Sequence, residues 1–225
     1  MATYLMRRHV HSGVHTDGTD LFTRLLKGAP EGPGRVVEGE DGHLYRSFPP
    51  TATKLSAMVK LGMEHWPFSE TSRVLYLGAA AGTTVSYISD ICPRGHLFAV
   101  EFAPEPFRSL VDVARGRPNV VPILADARRP SAYAVQVGPP VDVLYQDVAQ
   151  RDQWDIGERN AQALLSPGGT LILVIKASSV DISRPASRIF EVVAEKAAAG
   201  NFDVLEMVDL GNYDRDHAVL VAKRR

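Results

Sequence analysis

Residues 74–85, with the sequence VLYLGAAAGTTV, combine a short apolar run with a glycine-rich turn. The apolar residues 74–77 predict a buried strand, and residues 85–91 predict a helix. Gly78 and Gly82 lie in the turn between them. Glycine lets a ligand approach the backbone, and the amides at a helix N-terminus attract its polar end. The stretch therefore predicts a cofactor cradle after the strand.

The turn alone does not decide between a cradle and a plain connection from strand to helix. Ala80 stands where the dinucleotide-binding fingerprint has its second glycine, so the turn departs from that motif. Features that follow at matched spacing favour the cradle, with Gly78 and Ala79 as candidate contacts.

Beyond residue 77 the chain alternates strands and helices. The predicted strands are 96–101, 120–126, 141–147 and 170–176, and the predicted helices are 104–115, 152–165 and 184–199. Near-continuous apolar strands between helices are typical of a parallel sheet covered on both faces. The last two strands, 202–210 and 217–223, are joined by GNYDRD, which is too short for a parallel crossover. We therefore expect an α/β fold whose parallel sheet is closed by an antiparallel hairpin.

Residues 1–50 predict a separate small domain of antiparallel hairpins, because short alternating segments are broken there by Asp-Gly turns. Pro49 and Pro50 mark its boundary, so that the second domain covers residues 51–225. Four histidines fall in the first domain: His9, His11, His15 and His43. Their spacing matches no recognisable ligand pattern, so we expect solvated strand histidines and no metal.

Residues 51–63 predict a helix capped by Thr51 or Thr53. Its packed face is formed by Leu55, Met58, Val59 and Gly62. Lys54 lies at the margin of that face. A lysine there either covers apolar surface with its aliphatic stem or reaches over a cleft.

Composition limits the classes of function. The chain has 25 basic and 26 acidic residues and a net charge of -1, which argues against binding nucleic acid by bulk electrostatics. An RNA role would need a local basic patch or the help of a partner. There is no apolar run of transmembrane length and no signal-peptide core, and the single Cys92 excludes an internal disulfide and a cysteine-rich zinc site. The expected compartment is the cytoplasm, with no membrane contact.

Polar residues end four of the predicted parallel strands: Glu101, Asp126, Asp147 and Lys176. Ligands of open α/β sheets lie beyond the carboxyl ends of the strands. Glu101 follows Gly78 by 23 positions, the distance at which an acidic residue typically holds the ribose of an adenosine cofactor. Asp126, followed by Ala127, would lie where an adenine edge is recognised. Each carboxylate taken singly could instead cap the next helix, but their recurrence favours a function.

Asp147 and Lys176 end neighbouring strands and should face one crevice, which Lys54 could also reach. A lysine beside an acid can form a simple ion pair, or it can hold a substrate oxygen and tune its ionisation. His217 opens the last strand and is either a fourth member of this group or a structural loop histidine.

Several motifs together resemble those of the fibrillarin family, specifically its archaeal members. They are LYLGAAAGTTVSYISDI, AVEFAP, ILADARRP, VLYQDVAQ, LVIKASSVD and YDRDHAVLVAK. The likeness covers about residues 40–225, whereas the first 40 residues match only in general character. Family members usually have Asn-Pro and Ser-Lys at Pro49-Pro50 and Thr53-Lys54, so that the lysine is retained.

The resemblance implies a Rossmann-like S-adenosylmethionine-dependent methyltransferase fold, with a mostly parallel seven-stranded sheet and a small N-terminal β-rich domain. It implies ribose 2'-O-methylation of pre-rRNA and tRNA with S-adenosylmethionine, directed by box C/D guide RNA. The implied protein partners are a Nop-domain scaffold and a kink-turn-binding protein of the L7Ae type.

The resemblance also implies roles for individual residues. The catalytic group maps to Lys54, Asp147, Lys176 and His217. The cofactor contacts map to Thr83, Thr84, Glu101, Phe102, Asp126, Ala127, Asp147, Val148, Ala149 and Gln150. In this scheme the lysines stabilise the developing oxyanion, Lys176 takes the proton, and Asp147 orients Lys176 and the hydroxyl. No metal is required.

Two other functions remain as alternatives. One is a nicotinamide-dependent dehydrogenase, which shares the strand, turn and acidic residue. The other is a catalytically silent scaffold that bridges proteins and RNA.

A small basic patch, formed by Arg46, Lys54, Arg128, Arg129 and Arg151, would orient RNA without holding a duplex tightly.

Overall fold

A computed structural model describes residues 3–225, so that the first two residues of the predicted domain 1–50 lie outside the described residues. The described chain forms two sheets. The N-terminal one has five strands: β1 (Arg7–Arg8), β2 (Val14–Thr16), β3 (Leu21–Arg24), β4 (Val36–Glu38) and β5 (Leu44–Ser47). Their order is β1-β2-β3-β5-β4, and every pairing is antiparallel. The predicted hairpins are confirmed, but β1 was not predicted, because two residues are too few to show a period. The domain boundary at residue 50 stays a prediction.

The first helix, α1, is shorter than predicted and spans Lys54–Lys60. Thr53 caps it, since its hydroxyl accepts a hydrogen bond from Ser56 N while the Ser56 hydroxyl accepts one from Thr53 N. Gly62 ends it in the left-handed region at φ 85°, and Met63 N donates back to Met58 O at 3.0 Å. Gly62 is exposed, so its predicted place on the packed face is wrong.

The large sheet has seven strands: β6 (Arg73–Leu77), β7 (His96–Glu101), β8 (Val120–Leu124), β9 (Val141–Gln146), β10 (Leu165–Lys176), β11 (Phe202–Asp209) and β12 (His217–Arg224). The order is β11-β12-β10-β9-β6-β7-β8. β12 is antiparallel to both neighbours, and the other neighbouring pairs are parallel. This is the expected parallel sheet closed by an antiparallel hairpin.

The remaining helices are α2 (Thr83–Ile91), α3 (Pro104–Arg115), α4 (Ala134–Val137), α5 (Gln153–Leu164), α6 (Ala177–Val180) and α7 (Ala186–Ala199). The prediction for α3 matches to the residue, helped by a proline in its first turn. The one-turn helices α4 and α6 were not predicted. Four residues carry too little periodicity to separate such turns from loops.

Apolar cores lie on both faces of the large sheet. Val74 and Tyr76 pack on one face with residues of α1 and α2, and Leu75 and Leu77 pack on the other with residues of α5 and α7. Successive strand residues point to opposite faces, so burial on both faces explains why the strands are apolar at nearly every position. Because β6 to β10 run parallel, their carboxyl ends meet at one edge of the sheet.

Buried charges join the N-terminal sheet to the second part of the chain. Arg46 Nη2 lies 2.6 Å from Asp90 Oδ2, and Arg117 Nη1 lies 2.6 Å from Asp90 Oδ1. The Arg46 guanidinium also lies over the Tyr87 ring, 3.9 Å from its centroid. Arg46 is 0% exposed, so its predicted place in an RNA-binding patch is wrong. Desolvation lowers the pKa of Arg46, while Asp90 favours its charge.

Among residues 3–225, no helix combines the length and the apolar character needed to cross a membrane.

Candidate active site

A glycine turn at the carboxyl end of β6 closes one side of a cleft. Gly78 has φ 79°, and a Cβ at this position would lie 2.3 Å from Asp147 O. Asp147 N in turn donates to Leu77 O at 2.9 Å. Only glycine permits this approach, because any side chain would collide with the neighbouring backbone. The turn and the loop after β9 therefore form one unit.

The amides at the start of α2 form the rest of the turn. Gly82, at φ 89°, is the N-cap of α2 and has no capping side chain. Thr83 is exposed and Thr84 half-buried at the first two helical positions. An uncapped helix N-terminus leaves amide donors and a partial positive charge available to a ligand. Thr83 and Thr84 are thus in position for their predicted role, which stays a prediction.

Glu101 lies at the end of β7 and is fixed by two backbone amides. Its Oε2 accepts from Ala80 N at 2.8 Å and its Oε1 from Ala103 N at 2.7 Å. Each carboxylate oxygen can accept a further hydrogen bond, so the half-buried group keeps capacity for hydroxyl donors. Ala80 adopts the left-handed region at φ 48°, which directs its N–H at Glu101. Phe102 follows with a ring that is 65% exposed.

Asp126 lies in the loop after β8, since the strand ends two residues earlier than predicted. Its Oδ1 accepts from Arg128 N at 2.9 Å and contacts Arg128 Nε at 3.1 Å. Desolvation raises the pKa of Asp126, but the hydrogen bonds and charge of Arg128 outweigh it, so that the net pKa lies below its ordinary value. The neighbouring Ala127 O accepts from Asn160 Nδ2 at 2.8 Å, which fixes the loop on α5.

The segment from Val148 to Gln150 connects β9 to α5 and runs beside the glycine turn. Val148 Cγ1 would lie 2.9 Å from a Cβ at Gly78. Ala149 and Gln150 continue along the loop, and Gln150 O accepts from Gln153 N at 3.3 Å. The structure thus brings these predicted cofactor contacts to the same edge as Glu101 and Asp126.

Lys54 is the first residue of α1, and its side chain contacts acidic residues of the cleft. Its Nζ lies 2.9 Å from Asp147 Oδ2 and 3.8 Å from Asp214 Oδ2. Asp214 Oδ1 lies 3.0 Å from Nδ1 of the buried His217, and that nitrogen also lies 2.8 Å from Arg215 O. The four side chains form the row Asp147, Lys54, Asp214 and His217. Sequence reasoning missed Asp214, although it lies three positions before His217.

Lys176 does not join this row through Asp147. Its side chain forms no ion pair within the described residues, and Asp147 pairs with Lys54 instead. The register explains the difference. Leu173 is level with Gln146, so Lys176 lies two residues further along the strand direction than Asp147, or roughly 6–7 Å. The predicted orientation of Lys176 by Asp147 therefore stays a prediction, since Asp147 pairs with Lys54 in this structure. Lys176 and His217 are cross-strand partners.

Gln153 fixes the backbone of Lys176. Its Oε1 accepts from Lys176 N at 3.1 Å, and its Nε2 donates to Lys176 O at 3.2 Å. Gln153 is 1% exposed, and its own carbonyl accepts from the buried Gln146 Nε2 at 2.6 Å. Sequence reasoning missed Gln153, because a glutamine in the first turn of a helix carries no local signal.

The N-terminal histidines are not all solvated, which corrects the prediction. His11 is 5% exposed and its ring stacks on Trp66 at 4.9 Å. His15 packs edge-on against Tyr45 at 5.0 Å. Desolvation lowers the pKa of His9, His11 and His15, which favours neutral imidazoles. Within the part of the chain that the structure describes, no group of three or more His, Cys, Asp or Glu is placed to hold a metal ion.

Comparison with known proteins gives concordant results. The family model described as Fibrillarin matches residues 10–225. The chain is 47% identical over 197 residues to the fibrillarin-like rRNA/tRNA 2'-O-methyltransferase of Methanopyrus kandleri, covering 85% of this chain and 84% of that protein.

Two solved structures extend the similarity to the fold. The fibrillarin chain of a fibrillarin/Nop5p complex superposes with a TM-score of 0.88 at 33% identity, covering 97% of this chain and 100% of that one. Aeropyrum pernix fibrillarin, solved with natively bound S-adenosyl-L-methionine, gives a TM-score of 0.86 at 37% identity, covering 98% and 99%.

Proposed function

The chain belongs to the fibrillarin family, and we infer that it is an S-adenosylmethionine-dependent methyltransferase of ribose 2'-hydroxyl groups in rRNA and tRNA. One observation within the site carries this inference. The Lys54–Asp147 ion pair, at 2.9 Å, lies directly against the glycine turn that fits a cofactor. A charged pair for the substrate and a cradle for a methyl donor thus share one residue, Asp147.

The residues at this edge fit S-adenosylmethionine. Gly78 provides close backbone approach, the start of α2 provides amide donors, and Glu101 presents an oriented carboxylate to hydroxyl groups. We propose that Asp126 and the loop from Val148 to Gln150 complete the contacts. When bound, the cofactor supplies a methyl group made electrophilic by a positively charged sulfur.

The protein's own residues manage the ribose hydroxyl. A hydroxyl is a poor nucleophile while protonated, so the site must stabilise its developing negative charge and accept one proton. Lys54, between Asp147 and Asp214, is placed to stabilise that charge with its side-chain nitrogen. Lys176 forms no ion pair among residues 3–225 and is therefore the better proton acceptor.

His217 is proposed as a positioning residue for this row. Its Nδ1 contact with Asp214 holds the carboxylate that lies 3.8 Å from Lys54. Asp214 and His217 together then limit the directions in which the Lys54 ammonium can point.

We propose that the protein acts within a ribonucleoprotein that contains a Nop-domain scaffold. Support comes from the solved fibrillarin/Nop5p complex, whose fibrillarin chain this one resembles along almost its whole length. We propose a box C/D guide RNA and a kink-turn-binding protein of the L7Ae type as further partners, because the resemblance to the fibrillarin family implies them. The net charge of -1 is consistent with partners that supply most of the RNA affinity.

The alternatives differ in what they predict. Family membership removes the nicotinamide-dependent dehydrogenase. A catalytically silent scaffold would bind RNA and partners without transferring methyl groups, and the complete set of Lys54, Asp147 and Lys176 in the cleft speaks against it.

Methyl transfer from labelled S-adenosylmethionine in the reconstituted complex tests the assignment. We expect Lys176→Ala to lower the rate by roughly 10²-fold or more, the usual contribution of a positioned acid or base, while cofactor affinity stays nearly constant. Lys60→Ala, on the exposed side of α1, is the matched control. A target with a 2'-deoxy nucleotide should accept no label. Normal turnover by Lys176→Ala would contradict the role of this lysine, and label on the deoxy target would contradict the reaction.

A further inference from the structure

A second concave surface lies at the other edge of the large sheet. It is a groove of about 1030 Å³ between the N-terminal sheet and the segment after α2. Glu70 precedes β6 and Arg94 precedes β7, and both line the groove. The groove is therefore at the amino edge of the parallel strands, whereas the proposed methyl-transfer cleft is at their carboxyl edge.

Three exposed cations in the groove wall have no acidic partner. Arg8, Arg24 and Lys27 are exposed, and none forms an ion pair with any of residues 3–225. The charges of Arg8 and Arg24 both affect the same residue, His15. Desolvation lowers the pKa of His15, and the positive charges of Arg24 and Arg8 lower it further.

The acidic residues of the wall are mostly neutralised. Asp90 is buried between Arg46 and Arg117, each 2.6 Å away. Glu70 pairs with Arg94 at 2.6 Å. Glu31 is left as the one acid of the lining without an ion pair to another described residue, so positive charge predominates.

Flat and apolar side chains stand beside these cations. The half-buried His9 and the exposed His43 contribute their rings to the groove wall, and Arg24 Nη2 lies 2.8 Å from His43 Nδ1. His11 is buried against Trp66 and is not available to a ligand. Val10 is 86% and Leu44 is 46% exposed in the groove wall, so that apolar surface lies beside the cations.

Cations without an acidic partner, beside rings and exposed apolar groups, match the chemistry of single-stranded nucleic acid. Cations neutralise phosphates, and bases stack on flat side chains regardless of sequence. An acidic peptide would use the cations but would gain little from the rings. We propose that this groove binds a single-stranded RNA segment outside the methyl-transfer cleft. The proposal depends on the proposed function only in that RNA is the substrate.

The test compares two variants that remove the same charge. Arg8→Gln/Arg24→Gln removes the groove cations, and Arg115→Gln/Arg188→Gln removes two exposed helical arginines outside the groove. Anisotropy of fluorescein-labelled oligouridine is measured over a series of KCl concentrations. Single strands contribute a slope of about 0.7 per phosphate contact, so we expect the groove variant to flatten the log–log slope by roughly 1.4 and to bind about tenfold or more weakly near 0.1 M salt.

Two further measurements complete the test. Oligoglutamate of matched charge should bind the wild-type protein much more weakly than oligouridine. S-adenosylmethionine affinity, measured by calorimetry, should be equal in both variants and the wild type, which separates this groove from the cofactor cleft. Equal loss of RNA binding in both variants, equal affinity for oligoglutamate and RNA, or loss of cofactor affinity in the groove variant would each overturn the proposal.

Discussion

At the scale of single residues, Asp147 links the two halves of the proposed site. Its backbone oxygen lies where a side chain at Gly78 would have to be, and its carboxylate lies 2.9 Å from Lys54 Nζ. Any shift of the loop after β9 would therefore change the cofactor turn and the lysine together. The positions of a glycine and a carboxylate from distant parts of the chain thus depend on each other.

Glu101→Ala should weaken S-adenosylmethionine binding by roughly 1–3 kcal/mol, the cost of losing charge-assisted hydrogen bonds. The change also removes the carboxylate to which Ala80 N and Ala103 N donate hydrogen bonds. Calorimetry measures the affinity. Glu105→Ala, exposed in the first turn of α3, is the control and should bind normally. An unchanged affinity in a folded Glu101→Ala variant would refute the proposed contact.

Gln153→Ala should slow methyl transfer without changing cofactor affinity, because Gln153 acts on Lys176 and not on the donor. It leaves two partly buried backbone groups of Lys176 without their side-chain partner, so we also expect a loss of about 1 kcal/mol in the free energy of unfolding. Gln153→Glu keeps the acceptor for Lys176 N and should restore part of the rate. Single-turnover kinetics and urea unfolding test this, with the exposed Gln136→Ala as control. A full rate in Gln153→Ala would exclude a positioning role.

At the scale of elements, α2 has two tasks at its two ends. Its N-terminus, after Gly82, forms part of the cofactor turn. Its last turn carries Asp90, which accepts from Arg46 of β5, from Thr23 of β3 and from Arg117 after α3. One helix thus connects the cleft to the docking of the N-terminal sheet.

Asp90→Asn should destabilise the protein by about 3–5 kcal/mol, since it leaves two guanidinium groups buried without a counter-charge. Urea unfolding measures the loss. Asp112→Asn is the matched control, because Asp112 pairs with Arg115 while its side chain is 67% exposed, and exposed pairs contribute about 0–1 kcal/mol. If both variants lost the same small amount, the buried cluster would not be what holds the N-terminal sheet.

At the scale of the whole molecule, the cleft has few cations for RNA. Arg46 is buried, and Arg128 is paired with Asp126 at 3.1 Å. The chain has a net charge of -1 and therefore no general basic excess. Such a surface can orient one ribose but cannot hold a duplex by charge alone.

We therefore expect the isolated protein to methylate free RNA poorly. One target should be assayed with the protein alone, with guide RNA added, and with the guide and both proposed protein partners added. Only the complete mixture should give efficient, site-specific methylation, because the partners supply the contacts to the duplex that the cleft lacks. Efficient site-specific methylation by the protein alone would refute this expectation.

Elements that depend on local interactions can be predicted from the amino-acid sequence alone. The apolar strands, the glycine turn after Leu77 and the helix Pro104–Arg115 follow from periodicity and backbone freedom, which are set within a few residues. The sequence narrowed the cap of α1 to Thr51 or Thr53, and the structure shows Thr53. The order of strand ends along the chain also sufficed to select Glu101, Asp126, Asp147 and Lys176, because parallel strands end at one edge.

Which of these side chains are in contact depends on how distant parts of the chain pack. Lys54 and Asp147 are 93 positions apart, and Arg46 and Asp90 are 44 apart. Strand register, which the local sequence pattern does not reveal, places Lys176 beyond the level of Asp147. Asp147 forms its ion pair with Lys54. Nothing in the sequence distinguishes Arg46 from a surface arginine, but packing of the N-terminal sheet on α2 buries it. Periodicity reports the face on which a residue lies, whereas the partner on that face depends on how distant elements pack.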